Sequence, residues 1–313
     1  MTRSRILISV LNWNGAERTI HCVRQLQQQH YPNREILIVD NASRQESVAQ
    51  LREALPDVRL IISAQNLGYA GGHALALKVA QQEGFDCFWM LNTDIELQPR
   101  TLDAFMAAYQ QHGLALYGSP PLEKISGTSL TDYPILMHHK YYDEPYREII
   151  FQPQTTRTYG EVFPDDAARQ VVALSGSSLF FPLELVRQYG FMDEGFFMYS
   201  EEVDYCFRLR QAGVKRWMVP AAYILHESEG TSRGYSRVRD IIRYYRQRNQ
   251  IIRIRRWGNT GDLIKAIVKD LLLGLAALRH GRQGLRTLGF HLGAIRDGLR
   301  GTMGKTYPPE DYV

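Results

Sequence analysis

The chain has 313 residues, 44% of them apolar and 22% charged, an ordinary globular composition that excludes a disordered or fibrous protein. Three scattered cysteines, Cys22, Cys87 and Cys206, form no CxxC pair, so neither a disulfide scaffold nor a zinc ribbon is expected. The formal net charge of +4 conceals an asymmetry: Arg233 to Lys305 holds 17 basic and 4 acidic residues, the remainder 20 basic and 29 acidic. A basic segment on an acidic body points to a negatively charged partner, either lipid headgroups or nucleic acid. No signal-peptide pattern opens the chain. The longest uncharged apolar run of the tail, Leu271 to Leu278, falls far short of the roughly 20 residues that span a bilayer, so a cytoplasmic location is expected.

The first 118 residues alternate between two periods. Arg5 to Leu11 is a continuous apolar run, the pattern of a strand buried on both faces. Gly15 to Gln29 reads as a helix, stopped by Tyr31-Pro32. Strands follow at Glu35–Val39, Val58–Ile62 and Asp86–Leu91, with helices over Val48–Leu55 and Ala70–Glu83. Such alternation predicts right-handed crossovers and a mostly parallel sheet, with ligands bound beyond the carboxyl ends of its strands. Polar clusters stand at those ends: Asn12-Trp13-Asn14, Asp40-Asn41, Asn66-Leu67-Gly68 and Asn92-Thr93-Asp94. Residues 119–170 have weak periodicity and read as an irregular or hairpin-rich insertion. Strand character returns over Val171–Pro182, interrupted by Ser175-Gly176-Ser177. A helix over Ser200–Ala212 precedes strands at Val214–Val219 and Tyr223–Leu225, and the tail is helical throughout. Leu263, Ile264, Ile267, Val268, Leu271 and Leu272 start one apolar helical face that continues to Leu278, with Lys265 and Lys269 off it.

Four groups of residues suggest chemistry, each against a plainer alternative. Asp94, after the most apolar strand, is placed to hold a divalent cation together with substrate phosphates; otherwise Thr93 or Asp94 caps a helix starting near Pro99. Glu201, Glu202 and Asp204 crowd three carboxylates into a helix start behind Ser200 as N-cap, where acids are favoured by the dipole alone. Like charges beside each other also set up a general base of raised pKa. His226 ends a short apolar strand and is more often a structural histidine than a ligand. The turn Asn66 to Gly72 brings backbone N–H groups toward a phosphate or simply allows close packing; it matches neither GxGxxG nor the P-loop.

Together these stretches resemble the glycosyltransferase family 2 proteins of GT-A fold, in particular a bacterial rhamnosyltransferase-like branch. The resemblance rests on Val10-Leu-Asn-Trp-Asn-Gly15, Ile38-Val-Asp-Asn-Ala-Ser43, Asn66-Leu-Gly-Tyr-Ala-Gly-Gly72, Leu91-Asn-Thr-Asp94, Leu174-Ser-Gly-Ser177, Phe191 to Asp204, Val219 to His226 and Tyr244-Tyr-Arg-Gln-Arg-Asn249. It implies an α/β GT-A fold, a mostly parallel central sheet flanked by helices, with a helical C-terminal extension. It further implies an inverting, metal-dependent transfer of a sugar, rhamnose from dTDP-rhamnose first and a UDP- or GDP-sugar as the alternative. By the same resemblance Asp40 contacts the nucleobase, while Asn12, Asn66, Gly71, Asn92 and Gly176 line the nucleotide-sugar site. Asp94 and His226 hold Mg²⁺ or Mn²⁺. Glu202, or Glu201 as its competitor, is the catalytic base. Asn92 and Asp94 stand for the family's DxD motif with its first Asp replaced, and Glu202 stands where the family usually has Asp.

The implied organisation is a catalytic domain over 1–232, with a nucleotide-binding half 1–118 and an acceptor-side half 119–232, followed by a basic helical extension over 233–313. The expected acceptor is a glycan, lipid-linked, in cell-surface polysaccharide synthesis such as O-antigen. The extension is expected to lie on the inner face of the cell membrane as a basic amphipathic segment; the rival occupants of its apolar face are the catalytic domain and a second copy of the chain. Two other classes fit less well. A sugar-nucleotide pyrophosphorylase needs a phosphate-gripping Gly-rich N-terminal loop where this chain has Asn12-Trp-Asn-Gly15. A nucleic-acid-binding protein explains the basic tail but not the acids at the strand ends, so no nucleic-acid partner is expected.

Overall fold

The computed structural model describes residues 3–123, 127, 129–133, 158–226 and 236–308. Strands β1 (Ile6–Asn12), β2 (Arg34–Asp40), β3 (Arg59–Ile62) and β4 (Cys87–Leu91) alternate with helices α1 (Ala16–Gln27), α2 (Gln45–Ala54) and α3 (Gly68–Gln82). They pair in the order β3-β2-β1-β4, all parallel, with Asn12 beside Asp40 and Val10 beside Leu91. This is the expected parallel half. The continuous apolar runs arise because both sheet faces are covered: Leu7, Val39, Phe88 and Met90 enter one core, Ile8, Val10, Trp89 and Leu91 the other.

The second half of the sheet is mixed. It contains β6 (Leu116–Gly118), β8 (Arg169–Gln170), β9 (Ser178–Pro182) and β10 (Arg216–Met218), with α4 (Thr101–His112), α5 (Tyr159–Val162), α6 (Leu183–Tyr189) and α7 (Glu201–Gln211) around it. β9 runs antiparallel to both β4 and β6. Only its last five residues form the strand expected over Val171–Pro182; residues 171–177 form a loop that delivers Ser177 to the carboxyl end of β4, where its carbonyl accepts from the Asn92 N–H at 2.9 Å. A smaller sheet joins β5 (Ile95–Leu97), β11 (Ile224–His226) and β7 (Pro121–Glu123).

Two local expectations are corrected. The helix expected near Pro99 starts at Thr101, and β5 intervenes because Ile95 and Leu97 alternate inward with Glu96 between them; Asp94 therefore caps no helix. Ser200 occupies the N-cap position of α7 but makes no side-chain cap, its backbone being left-handed at φ 75°. Most of the 119–170 insertion lies outside the described residues.

The tail forms α8 (Ser236–Trp257), α9 (Thr260–Ala277) and α10 (Gly281–Arg300). Tyr244 and Tyr245 of α8, Phe290 and Ala294 of α10 and Phe197 share one buried cluster, so the extension is built onto the segment that enters α7. α9 is inverted relative to a usual surface helix: Asp262, Ala266, Asp270 and Gly274 face inward, while Ile264, Val268, Leu272 and Leu275 are exposed. Gly274 is in contact with Leu288 and His291, and a Cβ there would lie 2.9–3.0 Å from them. Small residues, not apolar ones, set this packing face. None of the described helices is long and apolar enough to cross a membrane.

Candidate active site

A cavity of about 360 Å³ opens at the carboxyl ends of β1 and β4, where an open α/β sheet is expected to bind ligands. Trp13, Asn66, Tyr69, Asn92, Gly176, Tyr199, Glu201 and Glu202 are among the residues that line the cavity. Trp13 also borders a second cavity of about 620 Å³ with Arg18, Arg44 and Thr93. Its indole N–H is buried and, among the described residues, has no hydrogen-bond partner.

The backbone that carries the glutamates is conformationally costly. Phe197, Tyr199 and Ser200 all have left-handed φ, 67°, 67° and 75°, a region that L side chains seldom occupy. Two elements hold it. At the start of α3, the Tyr69 N–H donates to the Phe197 carbonyl at 2.7 Å. Gly68 (φ +74°) lies so close that a Cβ there would fall 2.0 Å from the same oxygen, so only glycine serves there. From α8, the Asn249 amide donates to the carbonyls of Phe196, Met198 and Tyr199 at 3.0, 2.8 and 2.8 Å, and Arg248 donates to Phe196 at 2.9 Å.

Glu201 is 4% exposed and its Oε2 has no hydrogen-bond partner among the described residues. Burial, then the neighbouring Glu202, pushes its carboxyl well above the ordinary range. Glu202 is also raised, chiefly by burial, but the Arg253 guanidinium on α8 pulls it back down. Two carboxyl groups in one cavity resist ionising together; backbone hydrogen bonds and Arg253 both favour the charged form of Glu202, whereas Glu201 is raised further, by burial and by Glu202. The third acid of the run is diverted: Asp204 receives Arg256 at 3.1 Å and Trp257 Nε1 at 2.8 Å, away from this cavity. Gly176 lies against Glu202, whose Cγ a Cβ would approach to 3.4 Å, and its carbonyl accepts from the Tyr69 hydroxyl.

The structure brings Asn66, Asn92, Gly176, Glu201 and Glu202 to the cavity wall. It does not bring Asn12, Asp40 or Gly71 there. Asp40 is fully buried, accepting from Asn12 Nδ2 at 2.6 Å and from the Ser43 N–H at 2.9 Å; Asn12 also accepts from Thr19 at 2.8 Å. These two tie the loops after β1 and β2 to each other. Gly71 lies within α3, where a Cβ would be 2.9 Å from the Leu67 side chain. Of the N–H groups in the Asn66–Gly72 turn, those of Leu67, Gly68 and Tyr69 are spent on Asn41, Asn66 and Phe197 and are not offered to a phosphate. Trp13, Tyr69, Tyr199, Arg253 and Asn249 were not singled out from sequence, although all but Arg253 lie inside the stretches that carry the family resemblance.

Asp94 lies between β4 and β5, directly before Ile95; the phenols of Tyr69 and Tyr199, which border the cavity, are raised chiefly by burial, with a smaller contribution from the Asp94 charge. β11 brings His226 into register with Ile95, one residue from Asp94; the His226 side chain lies outside the described residues. Among the described residues no three His, Cys, Asp or Glu side chains gather as a metal site. A cation that arrives with a diphosphate needs only one or two protein carboxylates and keeps several waters. Asp94 beside neutral Asn92 fits that arrangement and does not fit a preformed, all-protein cage.

Residues 6–169 match the family Glycosyl transferase family 2. The chain is 29% identical over 204 residues to an N-acetylglucosaminyl-diphospho-decaprenol L-rhamnosyltransferase of Mycobacterium tuberculosis, covering 61% of this chain and 66% of that protein. It spans 54% of the length of a Haloferax volcanii hexosyltransferase relative, 66% of the M. tuberculosis one, and less than two thirds of a further curated relative, of which it covers 19%. Two solved structures share the fold at 13% identity. The mannosyltransferase PcManGT of Pyrobaculum calidifontis, in complex with GDP-Man and Mn²⁺, aligns with TM-score 0.56 over 96% of this chain and 88% of its own. GalNAc-T7 with UDP, GalNAc and Mn²⁺ aligns with TM-score 0.60 over 95% and 56%. The fold is thus that of the GT-A glycosyltransferases with a helical C-terminal extension, and by a family match spanning more than half its length this chain belongs to glycosyl transferase family 2.

Proposed function

We propose that the chain transfers a sugar from a nucleoside diphosphate donor to a glycan hydroxyl, with Glu202 as the base. The observation that carries this reading is the pair of buried Glu201 and half-buried Glu202, which line, together with Asn92 and Gly176, a cavity at the carboxyl ends of β1 and β4. The nucleotide has room along Trp13, with Asn66 and Asn92 lining the sugar-diphosphate end. Glu202 takes the proton of the acceptor hydroxyl as that oxygen bonds to the anomeric carbon; the bond from that carbon to the diphosphate breaks on the opposite face, which inverts the centre. Glu201 stays protonated beside it and donates a hydrogen bond. Asp94, with His226 as its expected companion, would hold a divalent ion, Mg²⁺ or Mn²⁺, whose contribution is to neutralise charge developing on the leaving diphosphate. The catalytic domain then runs over 1–232, with donor and acceptor halves meeting near 118.

For the donor, the GDP-mannose and UDP of the two solved structures support a UDP- or GDP-sugar ahead of dTDP-rhamnose; the rhamnosyltransferase relative supports rhamnose as the second reading. Its lipid-linked acceptor, with the basic tail, supports work on a lipid-borne glycan at a membrane surface. Thermal shift with UDP, GDP and dTDP, each with and without Mn²⁺, tests the proposal. A ligand at 100 times its Kd stabilises by about 2.7 kcal/mol, so one diphosphate should raise the Tm in a metal-dependent way. Absence of a shift with all three would overturn it.

A further inference from the structure

A further polar cavity, of about 470 Å³, lies between α8, α9 and α10, in the extension and outside the site described above. Arg239 and Arg243 of α8, Arg279 and His280 after α9, and Thr287 and His291 of α10 line it. Its one lining carboxylate is neutralised: Asp240 accepts from Thr287 at 3.0 Å, Arg286 at 3.1 Å and Arg243 at 3.4 Å. His291 is 2% exposed, borders the cavity, and its Nδ1 finds no hydrogen-bond partner among the described residues. A buried, unpartnered polar atom among arginines marks a place where an anion completes the hydrogen bonding.

Leu273 and Ala276 form part of this cavity and also of an apolar groove of about 630 Å³ that runs along α9 past Leu272, Val268 and Ile264. Ile264 is 56% exposed and Leu272 60%; on α10, Leu285, Leu292 and Leu299 repeat every seven residues on the outside. The charge distribution says what covers this face. All three acids of α9 and α10, Asp262, Asp270 and Asp297, are buried, whereas Lys265, Lys269, Arg279, Arg282, Arg296 and Arg300 are exposed. A second copy docked on this face would oppose like charges, which an anionic bilayer instead neutralises.

We propose that the Arg239–Arg279–His291 cavity binds the phosphate headgroup of a membrane lipid, with the adjoining α9 groove holding the first part of its hydrocarbon chain. The assignment rests on the membrane-surface reading given under the proposed function and does not depend on the donor site. Lipid and protein meet as in other interfacial helices, where apolar area and cationic attraction add.

The test is co-sedimentation with vesicles of phosphatidylcholine alone or mixed with phosphatidylglycerol, together with the thermal shift produced by a nucleoside diphosphate. The full chain should bind the mixed vesicles and not the neutral ones. Arg239→Ala/Arg279→Ala and, separately, Val268→Asn/Leu272→Asn should each weaken binding at least about tenfold, with the nucleotide shift retained. If the full chain binds neither vesicle, the membrane reading and this site fall together. If it binds the mixed vesicles and both variants bind equally well, this site alone falls. If inorganic phosphate stabilises the protein as much as short-chain phosphatidylglycerol does, and only through Arg239 and Arg279, the ligand is a soluble anion and the lipid assignment is overturned. Concentration-dependent dimers that Val268→Asn/Leu272→Asn abolishes, without vesicle binding, would overturn it in favour of self-association. Loss of the nucleotide shift in the full chain with vesicle binding intact would count against the transferase reading only.

Discussion

The side-chain amide of Asn249 donates to the backbone carbonyl of Tyr199 at 2.8 Å, across 50 residues of sequence, and so ties the tail to the segment that presents Glu201 and Glu202. The same nitrogen reaches Met198 and Phe196. The carbonyls it serves belong to a stretch with three left-handed non-glycine residues, a conformation that persists only where its surroundings over-determine it. Asn249→Ala should therefore cost about 1–3 kcal/mol, the penalty for stranding buried acceptors. It should also lower turnover more than it alters nucleotide affinity. Urea unfolding and steady-state kinetics check both; unchanged turnover in a destabilised variant would show that the clamp serves folding alone.

Glu202→Gln should lose at least about a hundredfold in turnover, the low end for a general base, while nucleotide affinity holds. Glu201→Gln mimics the protonated neighbour and should keep most activity. Because burial raises the Glu202 carboxyl above its ordinary 4.5 and the reaction needs it ionised, the acid limb of the pH profile should lie above pH 4.5. Glu201→Gln should leave that limb in place. Full activity in Glu202→Gln with loss in Glu201→Gln would exchange their roles.

The raised Glu201 carboxyl also makes a stability prediction. Its folded pKa lies above the unfolded value, so the folded state binds more protons and stability falls as pH rises through that interval. Glu201→Gln removes this penalty. The variant should be more stable than the natural chain at pH 8 and equal to it below about pH 4.5, as read from urea midpoints at the two pH values.

His73 has the opposite sign. Burial lowers it to about 3, and Ser9 Oγ lies 2.8 Å from its Nδ1. The unfolded chain then binds the extra proton, so this residue's contribution to stability is lost as pH falls from about 6.5 toward 3. His73→Gln, which keeps a partner for Ser9, should flatten the pH dependence of the urea midpoint over that range.

Gly68→Ala should destabilise by at least about 2 kcal/mol, since strained backbone and a contact with the Phe197 carbonyl add. Gly84 is the control: its φ is +69° but a Cβ there meets nothing within 4 Å, so Gly84→Ala should cost about 1 kcal/mol. Equal losses would mean that the close approach to Phe197 contributes nothing.

Much of this molecule was legible in the order of its residues. The apolar runs around Leu7, Ile38 and Trp89 predict strands covered on both faces, and the polar residues ending them locate the cavity, because side-chain alternation and strand termini are local properties. The residues at those ends divide in ways no local pattern reveals. Asn66 and Asn92 reach the cavity, whereas Asp40, at an equivalent strand end, is buried and bonded to Asn12 and Ser43 and does not line it. Asp204 and Glu202 are two positions apart on one helix, and only contacts with Trp257 and Arg256 send one away from the cavity while Arg253 tunes the other. The apolar periodicity over 263–278 was equally plain, yet its period is the same whether that stripe packs inward or outward. Gly274 against Leu288 and His291 turned the small-residue face to the protein and left the leucines outside. Period and turn chemistry belong to neighbouring residues; which face is buried and which acid is paired depend on elements far away in the chain, and only the folded arrangement brings those together.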